Sequence, residues 1–326
     1  MRFLSIFCLL LRICSAQSYD WTGDALPGVK INTVAYKGWI PASSAPLHGT
    51  LILIPGRHGD GRGMATDPRW QALGTATGFA IIGCQFANGE PFPYQSDIGG
   101  EVSRAINIAV QRLATDSQHP ELANGPLAFW GTSAGSNVSA NYCAKFPERV
   151  AAFASSKGTF GPGGNLSAAT REIPMFFALG AGDKSEWTTP SRANIEAGTK
   201  LHAPWALAFH QKEGHEVGKS LDVAIPFLQA AIEQRLNPPA AASVSTAAQP
   251  VFKSQLPSFS KPAAAPASAT QKIKLFKINP QNGWLGNLET MDIALAKDFK
   301  GSRASAFWLP DEATAHAWQQ YLQSGK

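Results

Sequence analysis

The chain has 326 residues, 44% hydrophobic and 16% charged, with 30 glycines, 23 prolines and four cysteines. Its apolar content excludes a disordered chain, four cysteines exclude a disulfide scaffold, and the length fits one large domain or two unequal ones. The net charge of +5 is scattered along the chain, so it does not describe a nucleic-acid-binding face.

Residues 1–16 read as a signal peptide. Arg2 supplies a basic start, residues 3–11 are apolar except for Ser5, and Cys14-Ser15-Ala16 offers small residues for cleavage. Arg12 interrupts the pattern, and the apolar stretch is too short to span a bilayer. The expected location is secreted or periplasmic, without integral membrane contact. Cleavage would remove Arg2 and Arg12 and lower the net charge from +5 to +3. It would also leave Cys84 and Cys143, which sit in apolar stretches and read as two buried free thiols, with a single disulfide as the alternative.

Residues 17–236 alternate between two periodicities. Residues 31–40 read as an antiparallel edge strand. Continuous apolar runs follow at 51–54, 79–86, 127–130, 149–154, 174–179 and 205–209, bounded by glycine and proline. Such runs suit strands buried on both faces of a parallel sheet. Between them, residues 101–114 place Val102, Ala105, Ile106, Ala109, Val110 and Leu113 on one helical stripe. Residues 133–146, 192–201 and 221–236 are the other predicted helices. The alternation specifies an α/β domain with a mostly parallel, doubly wound sheet and helices on both faces.

Residues 237–271 then break the pattern: 22 of these 35 are Ala, Pro or Ser and none is acidic, which reads as a linker. Residues 272–326 form a small α+β terminal unit. Residues 272–278 alternate like a strand, 307–309 offer another, and Pro310-Asp311 starts a helix holding Trp318, Tyr321 and Leu322. Trp284, Trp308 and Trp318 fit either a flat face for a polymer or a core. So small a unit has little else to bury, which favours the core.

The chemistry concentrates at turns after the strand-like runs. Gly131-Thr132-Ser133-Ala134-Gly135 matches G-x-S-x-G, with a strand before it and a helix after it. A strand turning that sharply into a helix exposes one hydroxyl at the sheet edge and needs glycines on both sides. A serine hydroxyl requires a base to become a nucleophile. His215, directly after the last strand-like run, is the candidate base, and His58 is its rival because its loop opens at the same edge. Asp183, just beyond another strand end, would orient the imidazole, with Glu186 as a substitute. Asp222 suits the first turn of the last predicted helix as a cap instead. Backbone amides of Arg57, in the glycine-rich loop after the first continuous strand, and of Ala134 would bind a developing oxyanion. His58 and Trp187 are candidate substrate-contacting residues.

The segments GTSAGSNVSANYCAKFPERVAAFA around Ser133, LGAGDKSEW around Asp183 and EGHEVG around His215 resemble the α/β-hydrolase superfamily. Within it they look most like secreted esterases of the polyhydroxybutyrate-depolymerase-like and feruloyl-esterase-like branch. The resemblance covers residues 31–236. It implies the α/β-hydrolase fold and hydrolysis of a small or polymeric carboxylic ester through an acyl-enzyme, without metal or organic cofactor. This chain has Pro55-Gly56 where the related enzymes often have His-Gly, and Ser136 where they often have a second glycine. Residues 272–326 lie outside the resemblance. The same constellation cleaves amides in peptidases, and a silent binding protein on this fold is the alternative of another class. Retention of Ser, Asp, His and the glycines in order argues against silence.

Overall fold

The structure, a computed structural model, describes residues 15–24, 31, 33–43, 45–87, 100–160, 167–237 and 273–326. Most of the predicted signal segment and nearly all of the predicted linker therefore lie outside the described residues.

In chain order the first elements are strands β1 (Gln17–Asp24), β2 (Thr33–Ile40) and β3 (Gly49–Ile54), helix α1 (Pro68–Thr77) and strand β4 (Phe79–Ala87). Helix α2 (Glu101–Asp116), β5 (Leu127–Thr132), α3 (Ala134–Lys145), β6 (Val150–Ser156), α4 (Ala168–Arg171) and β7 (Met175–Gly180) follow. The large domain closes with α5 (Ser185–Lys200), β8 (Trp205–His210) and α6 (Leu221–Leu236). The eight strands form one sheet in the order β1-β2-β4-β3-β5-β6-β7-β8. The β1–β2 and β2–β4 pairs are antiparallel and the remaining pairs parallel. This is the α/β-hydrolase fold. No described helix is long and apolar enough to cross a membrane.

The two-residue period of the strands divides the interior into two layers. In β3, Ile52 and Ile54 face the layer containing Val102, Ile106 and Val110 of α2, Tyr142 of α3 and Ile195 of α5. Leu51 and Leu53 face the layer containing Trp70 and Leu73 of α1 and Val223, Phe227 and Leu228 of α6. A strand buried on both faces has no polar positions, which is why β3 and β7 read as unbroken apolar runs. Cys84 and Cys143 are free and fully buried, and burial pushes both thiols well above their usual range.

Three local expectations change. The antiparallel strand expected over residues 31–40 is β2, Thr33–Ile40, but it lies inside the sheet, and β1 forms the edge beside it. The helix expected at 192 begins at Ser185 and carries Pro190 within it. Residues 272–278 form no strand in their described part: the Phe276 amide donates to the Arg235 carbonyl at the end of α6, and the Arg235 guanidinium donates back to the Phe276 carbonyl. The segment docks on a helix end, so its alternation has no sheet to serve.

The terminal residues build β9 (Trp284–Asn287), β10 (Ile293–Leu295), β11 (Ala306–Leu309) and α7 (Glu312–Ser324), with an antiparallel sheet in the order β10-β9-β11. The Asp311 carboxylate accepts the Thr314 amide at 2.8 Å and caps α7. This unit joins the second interior layer: Trp308, Leu309, Trp318 and Leu322 cluster with Phe227 and Phe176. Trp308 and Trp318 are buried in that core and Trp284 is partly buried. The Trp318 indole N–H donates to the Leu207 carbonyl of β8 at 2.8 Å, covering the last strand of the main sheet.

Candidate active site

Ser133 stands between β5 and α3 with φ 50° and ψ −123°, a backbone conformation that costs about 1–3 kcal/mol for a residue with a side chain. The neighbourhood enforces it. A Cβ on Gly131 would lie 2.5 Å from the Gly135 carbonyl carbon, and one on Gly135 would overlap the carbonyl oxygens of Ile54 and Pro55. Both glycines of the motif are thus required by close backbone approach. The Ser133 amide donates to the Ser156 carbonyl at 3.0 Å, tying the turn to the end of β6. Ser136, where the related enzymes often have a second glycine, is buried and donates its hydroxyl to the Gly131 carbonyl at 2.5 Å. The space it takes is matched at Gly158, where a Cβ would overlap the Ser136 side chain.

The structure brings the three candidate reactive side chains into one chain of hydrogen bonds. Ser133 Oγ lies 2.8 Å from His215 Nε2, and His215 Nδ1 lies 2.7 Å from Asp183 Oδ2. The Asp183 side chain is only 4% exposed whereas the His215 ring is 41% exposed, so the carboxylate is held inside and the imidazole faces the site mouth. The second carboxylate oxygen of Asp183 accepts the Lys184 amide at 2.8 Å, which fixes its plane. The two loops also hold each other, because the Gly182 amide donates to the Glu213 carbonyl at 3.0 Å. The Glu216 carboxylate accepts the Gly214 amide at 3.0 Å, and that bond, with its other backbone bond, keeps its carboxyl below the usual range.

His215, not His58, is the imidazole paired with Ser133. His58 is exposed with φ 62° in the loop after β3. That loop passes close over the nucleophile: a Cβ on Gly56 would lie 3.3 Å from Ser133 Cβ and 3.9 Å from its Oγ. It is braced by a Gly59 amide to Gly56 carbonyl bond and by the Gly61 amide donating to the Cys84 carbonyl. Arg62 grips Asp60 through Nε at 2.9 Å and Nη2 at 2.6 Å, and this bonding holds the Asp60 carboxyl below its usual range. Ala134 is the first residue of α3, where helix geometry leaves amides without an intrahelical acceptor. The Trp187 ring lies 5.1 Å from the His215 ring at 58°, and Lys184 Nζ sits 4.6 Å over its face. Glu186 is exposed in the first turn of α5 and Asp222 is exposed in the first turn of α6.

One group at this edge has no signature in the sequence. Buried Lys157, Glu213 and Tyr321 meet beneath the His215 loop from positions 56 and 108 residues apart.

No protein-family model and no curated protein sequence matches the chain. Among solved structures, S-formylglutathione hydrolase FrmB from Staphylococcus aureus superposes with a TM-score of 0.49 at 9% identity, over 68% of this chain and 98% of that one. A bacterial heroin esterase does so with a TM-score of 0.49 at 12% identity, over 69% and 87%. A ferulic acid esterase does so with a TM-score of 0.47 at 13% identity, over 67% and 98%.

Proposed function

We propose that this protein is an exported serine hydrolase that cleaves carboxylic esters. The observation that carries the reading is the relay from Ser133 through His215 to Asp183, at 2.8 and 2.7 Å, on a strained strand-to-helix turn.

His215 Nε2 takes the Ser133 proton as Oγ attacks the ester carbonyl, forming a tetrahedral oxyanion. Asp183 keeps the proton on Nδ1, so that Nε2 is free to accept, and stabilises the imidazolium that results. Amides of Arg57 and Ala134 receive the oxyanion, each such donor supplying about 10²–10³ in rate. Collapse breaks the ester C–O bond, His215 returns its proton to the leaving alcohol, and the acyl group remains on Ser133. Water loses a proton to His215 as it attacks the acyl carbon, the acyl–Oγ bond then breaks, and Ser133 Oγ takes the proton back from His215 as the acid leaves. Proton transfer by a positioned imidazole supplies about 10²–10⁴ more. Trp187 and His58 are proposed to flank the substrate. Export rests on the pattern of residues 1–16, and the first described strand starts at Gln17, one residue past the expected cut.

A p-nitrophenyl acetate and butyrate series tests the reaction. Turnover is expected for the wild type, and Ser133→Ala is expected to lower kcat on the order of 10⁴-fold or more. Absence of wild-type turnover, or an undiminished Ser133→Ala variant, would overturn the proposal. The matching p-nitroanilides distinguish an esterase from an amidase. An intact mass of the exported protein starting at Gln17 would support cleavage, and one retaining residues 1–16 would refute it.

A further inference from the structure

Lys157 follows the last residue of β6 with φ 55°, its amide donates to the Ala178 carbonyl at 2.8 Å, and its side chain is 0% exposed. A buried ammonium is costly unless paired and hydrogen-bonded. Lys157 Nζ meets Glu213 Oε2 at 2.6 Å and the Tyr321 hydroxyl at 3.0 Å. That hydroxyl donates to the same Glu213 oxygen at 2.5 Å, and Oε1 accepts the Lys219 amide at 3.0 Å. Gly218, at φ 54°, makes the room, since a Cβ there would overlap the Glu213 carboxylate. The imidazole of His210 lies 4.7 Å from the Tyr321 ring. His210 Nδ1 accepts the amides of Lys212 and Glu213, which leaves Nε2 to donate to Ser324 Oγ at 3.1 Å.

Each member of this cluster touches a loop that carries part of the relay. Lys157 is bonded to Ser156, whose carbonyl receives the Ser133 amide. Glu213 lies two residues before His215, and its own carbonyl receives the Gly182 amide beside Asp183. Tyr321 comes from α7, the last helix of the chain.

We infer that Lys157, Glu213 and Tyr321 are positioning residues that set the mutual placement of the Ser133, Asp183 and His215 loops, so that α7 completes the active site. The inference rests on those three residues being the reactive ones. Removing the Tyr321 hydroxyl leaves the ring packing intact but frees one side of the Glu213 carboxylate. The His215 loop then gains freedom without losing its fold. Displacements of this kind in reactive side chains lower the chemical step more than binding.

The test compares Tyr321→Phe, Glu213→Gln and Glu213→Ala with wild type in the full chain. Ester turnover is normalised to the fraction of Ser133 that reacts with a phosphonofluoridate, so that misfolded protein does not count. Tyr321→Phe is expected to lower kcat about tenfold with KM within about twofold. Glu213→Ala is expected to lose more, and Glu213→Gln, which keeps an acceptor for Tyr321, to recover part of that loss. Gln319→Ala, on the same helix but bonded to the Met291 carbonyl, is expected to match wild type. A second reading is the low-field proton NMR resonance of His215 Nδ1–H, which reports the bond to Asp183 without turnover. It should broaden or vanish in Tyr321→Phe. Wild-type normalised kcat and an intact resonance in Tyr321→Phe would overturn the inference. If the wild type proves inactive on esters, the ester proposal fails, and the resonance alone decides this one.

Discussion

At the residue scale, the conformation of the proposed nucleophile, Ser133, is a consequence of backbone crowding. Ser133 sits at φ 50° because β5 turns into α3 within the width of two glycines, and no side chain fits at either. Gly135→Ala would push a methyl into the Ile54 and Pro55 carbonyl oxygens, which are backbone atoms and give little. The expected cost is about 3 kcal/mol, seen as a Tm lower by about 6–12 °C, with turnover lost as the oxyanion side of the turn shifts. An unchanged Tm would show that the loop after β3 moves freely, contrary to its bracing. The histidines separate as cleanly. His215→Ala removes the partner of Ser133 and should cost about 10³-fold or more in kcat, whereas His58→Ala should stay within about fivefold of wild type. The reverse ranking in steady-state assays would reassign the base.

At the element scale, the end of β8 carries a buried imidazole, His210, and the loop after it a buried carboxylate, Glu213, and both make the fold sensitive to acid. Burial raises the Glu213 carboxyl, but bonds from Lys157, Tyr321 and the Lys219 amide outweigh it and leave it below the usual range. Its contribution is present above the unfolded value of about 4.3 and is lost as pH falls through the lower folded value. Burial lowers His210, because it disfavours the charged ring, and the positive charges of Lys157 and Lys212 act in the same direction against the opposing Glu213 carboxylate. Below about 6.5 the unfolded chain takes a proton on this residue that the folded chain refuses, so stability falls with pH there too. Urea melts between pH 7 and 4 should therefore show a steady loss. Glu213→Gln should be less stable at neutral pH and flatter below about pH 4.5, while His210→Asn should be flatter between about pH 6.5 and 5. Wild-type slopes in both variants would show that other groups control acid unfolding. The elements that sequence reading missed are equally physical. In β1 Gln17, Ser18 and Asp20 are exposed and Trp21 is buried, so the described part carries no apolar alternation. In α1 the buried residues are Trp70, Leu73, Gly74 and Thr77, a face too weakly apolar to stand out. The hydrogen-bonded residues Ser133, Asp183 and His215 were legible because each follows a strand whose two buried faces leave an unbroken apolar run. Lys157 and Tyr321 were not, because a clamp between residues so far apart leaves no local spacing to detect.

At the scale of the whole molecule, the terminal unit behaves as part of the core of the large domain. Trp308 lies against Phe227 of α6 at 6.0 Å, Trp318 donates to β8, and Gln234 of α6 donates to the Pro310 carbonyl at 2.7 Å. Burial of Trp308, Leu309, Trp318 and Leu322 is worth about 1.5–3 kcal/mol each, a total comparable with the stability of an entire domain. A chain ended at Asn237 should accordingly be insoluble or lack a cooperative melt. A soluble, fully active fragment would separate the two parts after all. The residues that flank the Ala/Pro/Ser-rich segment lie together. Its two ends meet, since Phe276 pairs with Arg235 through both main chain and guanidinium. A segment whose ends already touch closes a loop, and closing a long loop costs only slightly more than closing a short one. Deleting residues 241–268 leaves a loop about a third as long and should leave kcat unchanged while raising stability by about 1 kcal/mol. Purified deletion protein with a wild-type or slightly higher Tm would bear this out. A fall in Tm comparable to that of Gly135→Ala would show that the Ala/Pro/Ser-rich segment itself contributes contacts to the fold.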